Sequence, residues 1–330
     1  MGAPADARVA AVVVTHNSER HIPGLASSLP AAAEGVGAVE LLVVDNASTD
    51  QTVAAVGEHA PTATVLPTGR NAGYAAGINA GVAAAGPFDA YVALNPDVRL
   101  GPGALAALVA ALEVPGTGIT VPRLVDERGH HQPSLRREPT VRRALGEAVL
   151  GGRRAGRVAW LGEVVHTASA YERPGTVDWA TGAVMCVSAE CHRRVGPWDE
   201  GFFLYSEETD FALRARDLGL ACRYVPEATA LHVGGEAHTS PELYALLARN
   251  RVRLYRRRHP AAAAAAFRAA VLLGESIRAA RGSVTARAAV AALAGRTGHL
   301  ARPAPPARAP ARVPDEVRTT TTTTTGQVRP

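Results

Sequence analysis

The sequence contains no lysine; all 35 of its basic residues are arginine. It has three cysteines, Cys186, Cys191 and Cys222, and no Cys-x-x-Cys spacing. That count excludes a disulfide framework and a cysteine-based zinc site, and it points to a reducing compartment. No early segment joins a basic start to an apolar run and a cleavage site, so no secretory leader is expected. No uncharged apolar run reaches about 18 residues, which argues against a transmembrane helix. What remains is a chain of 330 residues, 47% hydrophobic and 20% charged, with a mean hydropathy of +0.02. Such a composition buries a core and fits neither a disordered chain nor a polytopic membrane protein. The length allows one large α/β domain or two small ones.

Charge is unevenly spread. Residues 1–235 hold 19 Arg against 25 Asp and Glu, whereas residues 236–330 hold 16 Arg against 5 acids. The net +5 is therefore a mildly acidic body with a basic tail. Such a tail suits an anionic membrane surface, or a solvated helix pair packed on the body. Nucleic acid is a weaker partner for it, because only Tyr244, Tyr255 and Phe267 are there to stack on bases.

Short apolar runs alternate with helical patterns through the first 125 residues. Strands are expected at Val9–Val14, Leu41–Val44, Thr64–Leu66 and Tyr91–Leu94. Helices are expected after Ser18 and ending near Pro30, after the Ser48-Thr49-Asp50 caps, over Asn71–Ala85, and over Ala104–Leu112 with Pro102 as first helical residue. Right-handed crossovers then imply a mostly parallel sheet. Residues 125–178 are rich in Arg, Gly and His with weak periodicity, and are read as an irregular segment on the acceptor side. A strand over Ala183–Val187, a helix over Ser206–Leu218 capped by Ser206, and a strand over Ala221–Val225 follow. Residues 241–300 read as Arg-rich helix. The Pro, Arg and Thr composition of 301–330 predicts disorder.

Ligands of open parallel sheets bind beyond the carboxyl ends of the strands. Four strands here end in polar groups: Thr15-His16-Asn17, Asp45-Asn46, Arg70-Asn71 with Gly73, and Asn95-Pro96-Asp97. Each alone is ordinary capping or turn chemistry; together they suggest a shared ligand site. Asp97 is positioned to ligate Mg²⁺ or Mn²⁺, which take few protein carboxylates. Gly73, Gly77 and Gly81 fall on one helix face, where tight packing competes with phosphate binding at Gly73. The motif is neither a Walker loop nor a Gly-x-Gly-x-x-Gly fingerprint. Glu207, Glu208 and Asp210 suit a helix N-terminus, but their crowding also suits a general base. His232, beside Gly234 and Gly235, gains weight only from this company.

The segments VVVTHNSERHIPGLASSL, LLVVDNASTDQT, GRNAGYAAGINAG, YVALNPDV, WATGAVMCVSAE, GPWDEGFFLYSEETDFALRARDLG and LHVGG occur in that order. In this the chain resembles the family-2 glycosyltransferases, especially their bacterial rhamnosyltransferase-like branch, over about residues 9–235. The resemblance implies a GT-A fold, an α/β architecture of Rossmann type with a mostly parallel central sheet. It implies a nucleotide-binding half over about 1–125, an acceptor half over about 126–235, and a basic helical extension over 236–300. Thr15, His16, Asn17, Asn46 and Asn95 would line the nucleotide pocket, and Asp45 would bind the base. Arg70, Asn71 and Gly73 would face the nucleotide and sugar. Asn95 and Asp97 stand where the family has its metal-binding Asp-x-Asp; the Asn at 95 leaves Asp97 as the main carboxylate ligand. His232 would be a further ligand to Mg²⁺ or Mn²⁺, or a contact to the diphosphate. Glu208 would be the base, preceded by Glu207, with Asp210 as alternate. Trp179, Trp198 and Asp199 would shape the acceptor pocket.

An inverting, metal-dependent transfer follows from the resemblance, from a nucleotide-diphosphate sugar to an acceptor hydroxyl. dTDP-rhamnose is favoured over UDP-galactofuranose and UDP-glucose, and the acceptor would be a glycan or lipid-linked envelope precursor. The expected location is cytoplasmic, peripheral at the inner face of the plasma membrane. Against a processive synthase stand the missing transmembrane span and the missing Gln-x-x-Arg-Trp segment. A non-catalytic nucleotide-sugar-binding protein is the other alternative, favoured by Asn95 alone.

Overall fold

The computed structural model describes residues 5–234 and 239–295. The expected 301–330 tail and Gly235 lie outside the described residues. The chain opens with β1 (Arg8–Thr15), α1 (Ile22–Ala32), β2 (Ala38–Asp45), α2 (Thr52–His59), β3 (Thr64–Pro67), α3 (Tyr74–Ala84) and β4 (Ala90–Leu94). β5 (Val98–Leu100), α4 (Ala104–Leu112) and β6 (Thr117–Val125) complete the first half. The second half holds β7 (Leu135–Arg136), α5 (Val141–Leu150), α6 (Gly152–Ala155), β8 (Gly175–Val177), β9 (Trp179–Ala180) and β10 (Val184–Ser188). It continues through α7 (Ala189–Val195), α8 (Glu207–Asp217), β11 (Ala221–His232), α9 (Pro241–Arg258), α10 (Ala261–Ala280) and α11 (Val284–Leu293).

Nine strands form the main sheet, in the order β3-β2-β1-β4-β10-β6-β11-β5, with β8 also on β11. β1 to β4, β6 and β11 run one way; β5, β8 and β10 run against them. The sheet is therefore mostly parallel, as expected. The apolar run of β1 serves both faces. Ala10, Val12 and Val14 enter one core cluster, while Val9, Ala11 and Val13 enter the other. That alternation is why the strand reads as continuous hydrophobic sequence.

α3 lies on the first face. A methyl group at Gly77 or Gly81 would collide with Val14 or Val12, so these glycines serve close helix–strand packing.

Several elements differ from expectation. β6 was not foreseen, because Gly118 and Pro122 interrupt its pattern. Pro122 is accommodated where the β11 register breaks, between Val225 and Thr229, so its missing N–H costs no regular ladder bond. α3 begins at Tyr74 rather than Asn71, and Gly103, with φ of 65°, rather than Pro102 leads into α4. Ser206 precedes α8, but its side chain makes no capping bond and its φ is 75°. Residues 125–178 are not irregular throughout: they contain β7, α5, α6 and β8.

The C-terminal helices pack on the body. Tyr244, Tyr255, Phe267 and Val271 share a core cluster with Ala144 of α5. Arg251 pairs with Glu147 and Glu163, Arg257 with Asp199, and Arg258 with Asp217. Much of the basic charge in these helices is thus used inside the molecule. No helix among the described residues is long and apolar enough to cross a membrane.

Candidate active site

The ends of β1 and β2 are knitted together. Asp45 is buried, and its carboxylate accepts from Thr15 Oγ1 at 2.9 Å, Ser48 Oγ at 2.5 Å and Ser48 N–H at 3.0 Å. A carboxylate has about four acceptor positions, so about one remains for a ligand donor. Asn17, with φ of 53°, accepts from Thr49 N–H through its Oδ1 at 2.8 Å. His16 is exposed, and its Nδ1 donates to the Asn46 carbonyl at 2.8 Å. Arg70 is half-buried and Asn71 exposed at the same edge.

Two of the nucleotide-side residues have structural partners. Asn46 is buried and donates from Nδ2 to the Gly73 carbonyl at 3.0 Å. The Gly73 N–H, expected to be free for phosphate, donates to Asn71 Oδ1 at 3.1 Å. The next N–H, of Tyr74, donates to the Phe203 carbonyl at 2.7 Å. A side chain at Gly73, whose φ is 93°, would strike the Phe203 backbone. Gly73 thus seats α3 on the loop before α8 rather than presenting a bare helix end.

A second corner lies where β4 and β11 end. Asp97 Oδ2 is 3.5 Å from His232 Nε2 and accepts from Gly234 N–H at 2.8 Å. Burial holds the His232 pKa below its ordinary value, against the pull of Asp97. A neutral imidazole has a lone pair to offer a metal. Asn95, half-buried, is fixed by donation from its N–H to the Ala183 carbonyl at 2.9 Å. Among the described residues no group of three or more His, Cys, Asp or Glu converges. One carboxylate and one imidazole nonetheless fit a hard divalent cation that completes its shell with phosphate and water.

The third corner is the start of α8. Glu207 is buried, and its Oε2 has no hydrogen-bond partner. Burial, and then the neighbouring Glu208 charge, raise its pKa well above the carboxylate range. Glu208 is raised to about 7, chiefly by burial, with Arg136 pulling it down. The pair therefore divides into one carboxyl that stays protonated and one that titrates near neutrality. Tyr74, whose hydroxyl donates to the Gly182 carbonyl at 3.3 Å, is held protonated by burial and by Glu207, Glu208 and Asp97. Gly182 lies against Glu208, and the Ala183 carbonyl beside it accepts from the Asn95 N–H, so the second and third corners meet at the start of β10.

Arg136 and Tyr74 were not singled out from the sequence. Arg136 lies over Trp179, 5.8 Å from the ring centroid, and donates to the Pro133 and Leu135 carbonyls. Periodicity gave it no signal, because β7 has only two residues. Trp179 is buried, with Nε1 donating to the Arg137 carbonyl.

Three expected site residues do other work. Asp210 is buried and ion-paired with Arg214 at 2.7 Å, so it is no free alternate base. Trp198 is a core residue rather than an acceptor-pocket wall: it stacks on Phe211 and donates from Nε1 to Tyr91 Oη at 2.7 Å. Asp199 caps the turn at Glu200–Phe202 and pairs with Arg257.

The chain matches the profile of Glycosyl transferase family 2 over residues 10–165 and that of Glycosyl transferase family group 2 over residues 149–257. It is 34% identical over 235 residues to the N-acetylglucosaminyl-diphospho-decaprenol L-rhamnosyltransferase of Mycobacterium tuberculosis, covering 67% of this chain and 74% of that protein. It is 39% identical over 56 residues to rhamnosyltransferase WbbL of Escherichia coli, 17% of this chain and 21% of that one. In structure it is similar to the mannosyltransferase PcManGT from Pyrobaculum calidifontis in complex with GDP-Man and Mn²⁺. The TM-score is 0.55 at 18% identity, covering 88% of this chain and 80% of the other.

Proposed function

The chain belongs to the family-2 glycosyltransferases, in their rhamnosyltransferase-like branch and with a GT-A fold, and from that premise we propose an inverting transfer from a nucleoside-diphosphate sugar. The favoured donor is dTDP-rhamnose and the favoured acceptor a lipid-linked envelope glycan. The name of the mycobacterial relative, an N-acetylglucosaminyl-diphospho-decaprenol L-rhamnosyltransferase, supports rhamnose as the sugar and a lipid-linked acceptor. The observation that carries the reading is the Glu207–Glu208 pair at the start of α8, with Glu207 buried and Glu208 against Gly182, whose carbonyl accepts from the Tyr74 hydroxyl.

In this reading Asp45 takes its remaining hydrogen bond from the donor base, with Thr15 and Ser48 fixing the carboxylate. His16, Asn17, Arg70, Asn71 and Asn95 border the nucleotide, while Asn46 and Gly73 hold the pocket in shape. Asp97 and His232 would hold Mg²⁺ or Mn²⁺. The cation would neutralise the departing diphosphate as a Lewis acid.

The ionised Glu208 accepts the proton of the acceptor hydroxyl. The hydroxyl oxygen forms the new bond to the anomeric carbon as the bond to the diphosphate oxygen breaks and its electron pair leaves with that oxygen. Attack from the opposite face inverts the centre. Glu207 remains protonated, so a second negative charge does not oppose ionisation of Glu208. Trp179 and Arg136 lie on the acceptor side of Glu208.

The test is a transfer assay with dTDP-rhamnose, UDP-galactofuranose and UDP-glucose on a polyprenyl-diphosphate-linked acceptor, beside a thermal-shift titration with the corresponding nucleotides. Turnover with dTDP-rhamnose and an inverted product supports the proposal. Nucleotide binding without turnover by any donor overturns it in favour of a non-catalytic binding protein.

A further inference from the structure

α5 turns an apolar stripe outward. Its inner side packs on α10, where Ala148 meets Gly274, and under the following turn, where Gly146 meets Leu161. Between these contacts Leu145 and Val149 face solvent, and Val149 is 70% exposed. Trp160 borders the stripe at 58% exposed, because Arg143 Nε donates to the adjacent Ala159 carbonyl and pins that turn to α5. Leu273 of α10, beside Gly274, extends the patch on its other side. Leu145, Val149, Trp160 and Leu273 are four of the nine large hydrophobic residues exposed among the described residues, and three of them fall within residues 145–160.

The charge around them has one sign. Arg142, Arg153, Arg154 and Arg157 are all exposed. Glu147, the single acid between residues 141 and 160, turns inward to Arg251. An exposed Trp with aliphatic neighbours and a rim of arginines is the pattern of a surface that lies in a headgroup layer. Face-to-face pairing with a second copy would set these arginines against their own counterparts.

We propose that the α5 face, with the 151–160 segment, seats the enzyme on an anionic lipid bilayer. The inference rests on the proposed lipid-linked acceptor for its purpose. The face lies close behind the acceptor side: Arg251 joins Glu147 to Glu163, and the next residue, Val164, bridges Arg136. This seat differs from the basic C-terminal helices, where Arg251, Arg257 and Arg258 are paired with acids of the body.

Full-length protein is mixed with phosphatidylcholine vesicles with and without phosphatidylglycerol, and pelleting and tryptophan emission are recorded. Trp179 and Trp198 are buried, so a blue shift reports Trp160. The expected result is pelleting with the anionic vesicles, weaker at high salt, together with a blue shift. Arg153→Glu/Arg154→Glu is expected to weaken binding by about tenfold or more, and Trp160→Phe to abolish the shift while pelleting persists.

Failure of the full-length protein to pellet with anionic vesicles overturns the proposal. So does pelleting that neither the charge reversal nor Val149→Glu weakens. A dimer in solution that Val149→Glu dissolves would assign the face to a second copy instead. A nucleotide thermal shift on the same samples separates the two readings. Pelleting with no nucleotide shift leaves the seat standing and removes the donor site, and a nucleotide shift with no pelleting does the reverse.

Discussion

Asp97 Oδ2 lies 3.5 Å from His232 Nε2, although 135 positions separate the two residues in the chain. The Asp97 carbonyl also accepts from Val233 N–H, and its carboxylate from Gly234 N–H, so the turn after β4 and the end of β11 are fixed to each other. The pair needs no rearrangement to present one oxygen and one nitrogen to a cation.

Asp97→Ala is therefore expected to lower kcat/KM by about a hundredfold or more, with the fold intact by circular dichroism. His232→Ala should lower it less and raise the Mn²⁺ concentration needed for half-maximal rate. Chelation with EDTA should reproduce the Asp97 defect in the unaltered enzyme, with recovery on adding Mn²⁺ or Mg²⁺. A metal-independent rate in the unaltered enzyme would disprove this role.

In the proposed mechanism the raised pKa of Glu208 sets the acid limb of the rate profile. Activity is expected to rise with pH through about 7 as this carboxyl ionises, and Glu208→Gln to reduce kcat by about 10²–10⁴ above that pH, with the gap closing and the acid limb lost below it. The same shift has a stability consequence. The folded chain retains this proton between about 4.5 and about 7 while the unfolded chain has lost it, so this group's contribution to stability falls as pH rises through that window. Thermal melts of Glu208→Gln against the unaltered protein should differ more at pH 8 than at pH 5.

Arg136 pulls the Glu208 pKa down, so Arg136→Met should move the acid limb of the rate profile to higher pH. Rate at pH 7 should fall and partly recover at pH 9, with donor affinity unchanged. An equal loss at all pH values would mean that Arg136 acts through structure or acceptor contact instead.

Arg251 is shared by two carboxylates, at 2.8 Å from Glu147 and 2.6 Å from Glu163. Burial raises the Glu163 pKa, and the guanidinium opposes that. Arg251→Met leaves both acids in low dielectric without a cation. It should cost about 3–5 kcal/mol in a denaturant titration, with part of the loss regained in the Glu163→Gln background.

The parallel strands β1, β2 and β4 were legible because burial on both faces writes itself as an unbroken apolar run. The polar strand ends were legible because they interrupt such runs. β6 was not, since Pro122 and Gly118 break its pattern, and its register against β11 shifts at both places, in β6 at Gly118 and in β11 after Val225. Among the site residues, sequence pattern could mark Asp97 and Glu208 but could not say which acids were already engaged. Asp210 has the same chemistry as its neighbours and is consumed by Arg214, which is visible only once α8 and the 195–197 turn are packed. Trp198, which the family resemblance put at the acceptor pocket, is buried with its ring stacked on Phe211, a contact between separate elements that no local pattern records.

Asn250 of α9 donates from Nδ2 to the carbonyls of Phe202, Leu204 and Tyr205. Phe203, Tyr205 and Ser206 all adopt positive φ there, a costly arrangement for residues with side chains. The loop that aims Glu207 and Glu208 is thus clamped by a helix that the sequence motifs leave outside the transferase core. Fragments ending near residue 235 would keep every recognisable motif and lose the clamp. Directed-evolution libraries restricted to the motif segments would likewise pass over Asn250, which holds that loop without belonging to any of them.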